Sequence, residues 1–278
     1  MGVSVWRSVV SSLERSTVKL LSNVLSKKHA YRIAKALLAT QGIGWAGPEG
    51  GLKASGEANF IHIVLKGKTK PTVFDVGANQ GHYTKEILET SPEADIHIFE
   101  PSTKHVEVLH SRYKSNKNIK INGYGLSNRR SQKILYKDQE ISGMATLLKR
   151  DLQHINIKMN LEEKVKLEIG DNYCRKYNIR FIDLLKIDVE GWEMPVLRGF
   201  HNLLAKGLIG MVQFEFGHCH LARRENFMDF FSFFRSYGYV IGIIKPTGMV
   251  NWLSDYDEIH ENYYASNYVA KKKGKKLY

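Results

Sequence analysis

Cysteine, proline and long apolar runs are scarce in this 278-residue chain, and each scarcity argues against a class of structure. The two cysteines, Cys174 and Cys219, lie far apart with no C-x-x-C spacing. That count argues against a disulfide framework and against a zinc knuckle, and it fits a reducing, cytoplasmic setting. Six prolines are too few for long disordered tracts. No stretch approaches the roughly 18–20 apolar residues that a membrane span requires. The amino end, Met1 to Leu25, lacks the compact apolar block and cleavage site of a secretory leader. Internal repeats are absent as well.

What is present is a core-forming composition with a basic excess. Hydrophobic residues make up 43% and aromatic residues 11%, enough for one large domain or a domain with an extension. The net charge of +13 has two readings: solubility with a charged tail, or attraction to an anionic partner such as nucleic acid, an acidic membrane face or an acidic glycan. Near the amino end, Val3, Trp6, Val9, Val10 and Leu13, then Leu20, Leu21, Val24 and Leu25, recur at helical spacing, with Lys19, Lys27, Lys28 and Arg32 on or near the other side. Such a helix either lies on a membrane surface as a weak peripheral contact or packs on its own domain.

Residues 1–56 therefore read as a helical extension (Val3–Leu25 and Lys28–Ala39) followed by a glycine-rich linker, Gln41 to Gly56. Glu57 to Leu65 resumes a helical pattern. From there to residue 270 strands and helices alternate, which predicts an α/β, doubly wound, Rossmann-like sheet, mostly parallel with an antiparallel terminal strand. Strands are expected at Val73–Val76, Ile96–Glu100, Ile119–Gly123, Leu184–Val189 and Ile209–Phe216. Short extra strands at Ile134–Tyr136 and Val165–Ile169 surround a polar insert. Helices are expected at Lys104–Tyr113 and Glu225–Tyr237, then a closing hairpin pair at Tyr239–Ile244 and Tyr263–Val269. Residues 271–278 read as a solvated basic tail.

The organising stretch is Thr72-Val73-Phe74-Asp75-Val76-Gly77-Ala78-Asn79-Gln80-Gly81, an apolar strand that breaks into a glycine turn and restarts as a helix at Tyr83. That succession makes a nucleotide-type binding corner. Gly77 permits the tight turn, and Gly81 lets the helix pack close to the strand. Asp75 sits near the strand's carboxyl end, where open α/β sheets bind ligands. Glu100 closes the next strand at about the spacing of a ribose-binding acid. Asn79 stands where the dinucleotide fingerprint has its second glycine, which argues for a nucleoside without a pyrophosphate. S-adenosylmethionine is such a ligand, with a ribose diol for Glu100 and a cationic end for Asp75.

Two further segments carry acids to strand ends. Leu184-Leu185-Lys186-Ile187-Asp188-Val189-Glu190-Gly191-Trp192-Glu193 runs from strand into a carboxylate cluster, although Glu190 and Glu193 can equally favour the positive end of the following helix. Gln213-Phe214-Glu215-Phe216-Gly217-His218-Cys219-His220 places His218 just past a strand, either as a general base or as an exposed loop histidine. A divalent ion held by Asp188, Glu190 or Glu215 with His218 is a further option, since Mg²⁺ needs only one or two carboxylates.

Together, Phe74-Asp75-Val76-Gly77-Ala78-Asn79-Gln80-Gly81, Phe99-Glu100-Pro101 and Lys186-Ile187-Asp188-Val189-Glu190-Gly191 resemble the FkbM-type S-adenosylmethionine-dependent methyltransferases, over roughly residues 57 to 270. The Gly42–Gly56 segment looks like that family's lead-in. The resemblance implies that Asp75, Gly77, Asn79, Gly81 and Glu100 bind the cofactor. It also implies that Leu126 and Ser127, in the turn after the third strand, flank the adenine, and that Asp188 and Glu190 sit beside the transferred methyl. His218 is the first expected base, with Glu190 or Asp188 as orienting or alternative bases, for O-methylation of a hydroxyl on a sugar, glycan or natural product. The family's Thr-Leu-Asp element is replaced by Glu168-Ile169-Gly170-Asp171, which leaves Asp171 without an assigned role. An RNA methyltransferase and a non-catalytic methyltransferase-like subunit are the rival readings. The first lacks the Asn-Pro-Pro-Tyr type of motif used on base amino groups, and the second would be expected to have lost the glycine loop or its acids.

Overall fold

The structure, a computed structural model, describes residues 15–47 and 49–274. The first part of the expected amino-terminal helix (Val3 to Leu13), Pro48 and the end of the basic tail lie outside the described residues. Residues 15–24 are helical (α1), followed by α2 (Lys27–Thr40), α3 (Gly51–Ser55) and α4 (Glu57–Leu65).

Five parallel strands form the centre: β1 (Thr72–Val76), β2 (Asp95–Phe99), β3 (Ile119–Asn122), β7 (Ile182–Ile187) and β8 (Ile209–Phe216). β7 and β8 are mostly apolar because helices cover both faces, whereas β3, at the sheet edge, alternates as Ile-Lys-Ile-Asn. The antiparallel strands β9 (Tyr239–Ile244), β10 (Val250–Trp252) and β11 (Ser266–Lys272) complete an eight-stranded sheet in the order β10-β9-β11-β8-β7-β1-β2-β3. A separate three-stranded sheet holds β4 (Gly125–Ser127), β5 (Ser131–Lys137) and β6 (Leu161–Ile169), with β6 in the middle.

Side chains alternate across the main sheet. Phe74, Val76, Leu185, Ile187 and Phe214 enter one core with Phe230 and Phe234 of α10 (Phe227–Ser236). Val73, Leu184 and Met211 enter the other, against Phe60, Ile61 and Val64 of α4 and Ile87 of α5 (His82–Thr90). Asp75 and Lys186 are register partners, as are Lys186 and Gln213. All three are buried. They form a polar row across β1, β7 and β8 on the face that α4 and α5 cover.

Four expectations need correction. The stretch from Gln41 to Gly56 is not a free linker: it contains α3, and Ile43 is buried in the main core. Gly42 and Gly56 have positive φ and lie so close to the end of β9 that a Cβ would stand 2.1 Å from the Ile244 carbonyl and 2.2 Å from the Lys245 carbonyl. The boundary drawn at 56/57 thus falls inside packed structure. The fourth parallel strand ends at Ile187 rather than Val189, because Glu190 and Gly191 take positive φ and turn the chain out of the sheet. Leu126 and Ser127 lie in β4, not in a turn. Lys271 and Lys272 belong to β11, which is inserted between β8 and β9 rather than forming a simple hairpin with β9.

Candidate active site

At the carboxyl ends of β1, β2, β7 and β8 two adjoining cavities open. The first is lined by Gly77, Asn79, Glu100, Leu126, Trp192 and Glu190, among others, and the second by Glu57, Gly77, Asn79, Lys186 and His82. Asp188 and Glu215 face both. This is the crevice position that an open α/β sheet offers a ligand.

The glycine turn is shaped by its neighbours. Gly77 has φ +78, and a Cβ there would lie 1.8 Å from the Asp188 carbonyl oxygen, so β1 and the 188–192 loop meet backbone to backbone. Gly81 also has positive φ, but its close neighbours are Leu109 and Tyr113 of α6 (Thr103–Tyr113) rather than the strand. Tyr113 Oη donates to the Gly81 carbonyl at 2.7 Å. Asn79 takes φ +52, and its N–H donates to Glu100 Oε2 at 2.9 Å. The Ser102 N–H donates to Glu100 Oε1 at 2.9 Å. Burial pushes the Glu100 carboxyl up to about 7 despite these two bonds.

Asp75 departs from its expected place. It is fully buried beneath the crevice, lines neither cavity, and accepts a 2.7 Å hydrogen bond from Thr84 Oγ1. Lys186 Nζ lies 3.4 Å from Asp75 Oδ1 and 3.5 Å from Asp188 Oδ2, and donates to the Gly77 carbonyl at 3.1 Å. Burial works against this ammonium, but Asp188, Asp75 and Glu57 outweigh it and hold Lys186 above its ordinary range. The lysine therefore ties the strand acid, the glycine turn and the outer acid into one unit. Asp188 is open to the crevice: its side chain is 44% exposed, and its N–H donates to the Val76 carbonyl.

Glu190 lines the first cavity, and its Oε2 lies 3.2 Å from Arg150 Nη2. Burial and then the Asp188 charge raise its carboxyl to about 7, with Arg150 opposing. Arg150 comes from the insert between β5 and β6. The same insert sends Thr146 Oγ1 to the Glu190 carbonyl at 2.8 Å and places Ser142 and Gly143 against the cavity. Glu215 is raised well above the usual range, by burial and then by Asp188, Glu190 and Glu193.

Other expected residues fall outside the cavity walls. Gly81 and Ser127 line neither cavity, though Ser127 Oγ accepts from Trp192 Nε1 at 3.2 Å and so braces a wall residue. His218 is exposed at the start of a 3₁₀ turn and lines neither cavity. Partial burial and then Arg150, His220 and His154 lower its pKa. The buried histidine is His220, whose Nε2 lies 2.9 Å from Glu193 Oε2 while Nδ1 lies 3.3 Å from Cys219 Sγ. These three groups are the one cluster of metal-ligand type among the described residues, and the expected set with His218 does not converge. The ring turns Nε2 to the Glu193 carboxylate and Nδ1 to Gly217 and Cys219. Its two nitrogens face different partners, so the string reads as a brace rather than as ligands of a shared ion. Glu193 Oε1 also accepts the Val189 N–H at 2.9 Å, so the string holds the 188–192 loop.

Sequence reasoning gave no role to Lys186, Arg150, Trp192 or Glu57, and treated Glu215 only as a metal ligand. Lys186 had a signal, a lysine inside the apolar run Leu184-Leu185-Lys186-Ile187, since such a charge must be paired. Arg150 meets Glu190 from 40 positions away, with no local signature.

The sheet, its terminal antiparallel strands and this acidic crevice define a Rossmann-like methyltransferase fold. The chain belongs to the FkbM methyltransferase family: residues 75–241 match the FkbM methyltransferase domain. It is 22% identical over 153 residues to the 2-O-methyltransferase NoeI of Sinorhizobium fredii (strain NBRC 101917 / NGR234), a match taking in 52% of this chain and 63% of that protein. The chain thus spans less than two thirds of that relative's length. Among solved structures, methyltransferase FkbM from Methylobacillus flagellatus KT is similar at a TM-score of 0.46 and 13% identity, over 72% of this chain and 43% of that one. SMU.1697c from Streptococcus mutans, solved in complex with SAH, is similar at a TM-score of 0.44 and 10% identity, over 77% and 94%.

Proposed function

We propose that this chain binds S-adenosylmethionine in the paired cavities and methylates a hydroxyl of a sugar, glycan or natural product. The carrying observation is the uneven charge of the crevice. Glu57, Glu100, Asp188, Glu190 and Glu215 line it with one lysine, Lys186, while Arg150 stands outside the lining and pairs with Glu190. A cationic ligand relieves that imbalance. The donor set also suits a nucleoside: an ionised carboxylate offers about four lone-pair sites, and Glu100 uses two of them on backbone N–H groups, leaving capacity for a ribose diol. Phe99, Leu126 and Leu167 supply an apolar wall for a base. The NoeI match supports an oxygen acceptor.

Bound S-adenosylmethionine would supply an electrophilic methyl group. The protein's share is then positioning and proton removal. Orientation of the reacting groups contributes up to about 7–11 kcal/mol in well-arranged systems. Transfer would form the bond from acceptor oxygen to methyl carbon as the methyl–sulfur bond breaks, leaving a neutral thioether, and the acceptor's proton must leave. We assign that proton to the Glu190 carboxylate rather than to His218, because Glu190 lines the cavity and its pKa of about 7 suits a base at neutral pH. Arg150 and Thr146 hold the base in place.

Calorimetry with S-adenosylmethionine, paired with methyl transfer to a panel of glycans and small hydroxyl compounds, tests this. Glu100→Gln should abolish binding. Glu190→Gln should keep it and slow turnover by roughly 10²–10⁴-fold, while His218→Ala stays near wild type. A His218 variant slowed as much as the Glu190 variant would return the base role to the histidine. Unchanged cofactor affinity in the Glu100 variant would remove the binding assignment.

A further inference from the structure

The amino-terminal helices take no part in the crevice, yet they carry the densest exposed apolar surface among the described residues. On α1, Val18 and Leu20 are 66% exposed and Val24 72%; on α2, Ile33 is 48% and Leu37 65% exposed. The spacing is helical. Val18 and Leu21 are three apart, Leu20 and Val24 four apart, and Ile33 and Leu37 four apart, so each helix shows an apolar stripe. Lys19 on α1, and Lys28, Arg32 and Lys35 on α2, fall on other sides of their helices. The body holds the carboxyl end of this unit, where Ala39 and Ile43 are buried and Leu38 packs against the core, and touches α2 further back where Tyr31 meets Tyr264 edge-on at 6.4 Å.

An apolar stripe of this kind needs a cover, and the charge of the segment says which. Residues 15–47 contain Arg15, Lys19, Lys27, Lys28, Arg32 and Lys35 and no aspartate or glutamate. No helix among the described residues is long and apolar enough to cross a membrane. A short amphipathic pair with basic flanks and no acids is suited to lie in the plane of an anionic bilayer, with leucine and valine among the acyl chains and lysine and arginine at the headgroups. A second copy of the chain would bring the same six positive charges to the contact, and like charges oppose that pairing.

We infer that α1 and α2 dock this protein on the surface of a bilayer bearing anionic phospholipids. The inference is independent of the crevice and of the acceptor. Co-sedimentation of the full chain with phosphatidylcholine vesicles, and with vesicles containing about one third phosphatidylglycerol, is the test. The anionic vesicles should bind at least about tenfold more protein, with binding lost as salt rises to about 0.5 M. Leu20→Glu with Leu37→Glu should cut that binding about tenfold or more. Both sites are exposed, so the thermal melt should be unchanged, and cofactor calorimetry on the same sample would show that the body is intact. Equal partition onto neutral and anionic vesicles, or none onto either, overturns the proposal. So does a concentration-dependent dimer in light scattering that the double substitution dissolves, because the stripe would then be covered by a second copy.

Discussion

At the scale of single residues, Lys186 is the group on which most of the site depends. Its ammonium faces Asp75, Asp188 and the Gly77 carbonyl from the penultimate position of β7, between the apolar Leu185 and Ile187. Asp75 is fully buried, so removing the lysine leaves a carboxylate with Thr84 as its hydrogen-bond donor. Breaking one side of a buried pair typically costs about 3–5 kcal/mol. Lys186→Met should therefore lower the unfolding free energy by an amount in that range, seen as a lower denaturant midpoint at unchanged slope, and should weaken S-adenosylmethionine binding through the displaced glycine turn. A variant as stable as wild type would show that Asp75 is accommodated without the ammonium. Asp75 enters the site by this same route. It acts from below, through Lys186, and replacing it should resemble replacing the lysine more than replacing Glu100.

At the scale of elements, Asp171 has a structural part that the missing Thr-Leu-Asp pattern concealed. Its Oδ2 accepts both the Asn202 N–H and the Asn202 Nδ2 at 2.8 Å, and its Oδ1 accepts the Leu203 N–H at 3.1 Å. It thereby satisfies the first turn of α9 (His201–Ala205) from the neighbouring helix α7 (Gly170–Lys176). Leaving such donors unmet costs about 1–3 kcal/mol. Asp171→Ala should lower stability by that much and leave cofactor affinity unchanged, measured by urea unfolding and calorimetry on one preparation; a selective loss of affinity would give Asp171 a role in binding. Element reading from the sequence succeeded where burial is local. Glu57–Leu65, Ile209–Phe216 and Tyr239–Ile244 were legible to the residue, because their apolar spacing reports directly on the faces they bury. It failed where distant chain decides. Val189 looks like strand, but the turn-out at Glu190 follows from the contact between Gly77 and Asp188. The insertion of β11 between β8 and β9 leaves no trace in the periodicity of any of the three. The crevice was legible as glycines and acids at strand ends, whereas its roof, Arg150 and Ser142, came from an irregular insert without a pattern.

At the scale of the whole molecule, the crevice places uncompensated acid inside the fold, and this couples stability to pH in the direction opposite to a salt-bridged carboxylate. Glu100 and Glu190 are each raised to about 7 by burial, from a usual value of 4.5. A raised carboxyl favours the folded state while protonated. Its contribution is complete below about pH 4.5 and is lost as pH climbs through 7, by up to about 3 kcal/mol per group. Glu57 and Glu215, raised by burial, add to this loss, and Glu163 acts only below pH 4.5. His97, His105, His218 and His260, lowered mainly by burial, gain stability as pH rises through about 6.5 and oppose it. Measured against Glu100→Gln, which keeps the histidines, the ligand-free wild type should therefore lose more melting temperature between pH 6 and pH 8. A cationic nucleoside that binds the ionised carboxylates must expel their protons, so its affinity should rise across the same interval and level off above it. The melting increment given by S-adenosylmethionine should grow from pH 6 to pH 8, and calorimetry in buffers of different ionisation enthalpy should register proton release near pH 6.5. A melting increment independent of pH, or proton uptake on binding, would mean that the acids already carry their charge before the ligand arrives.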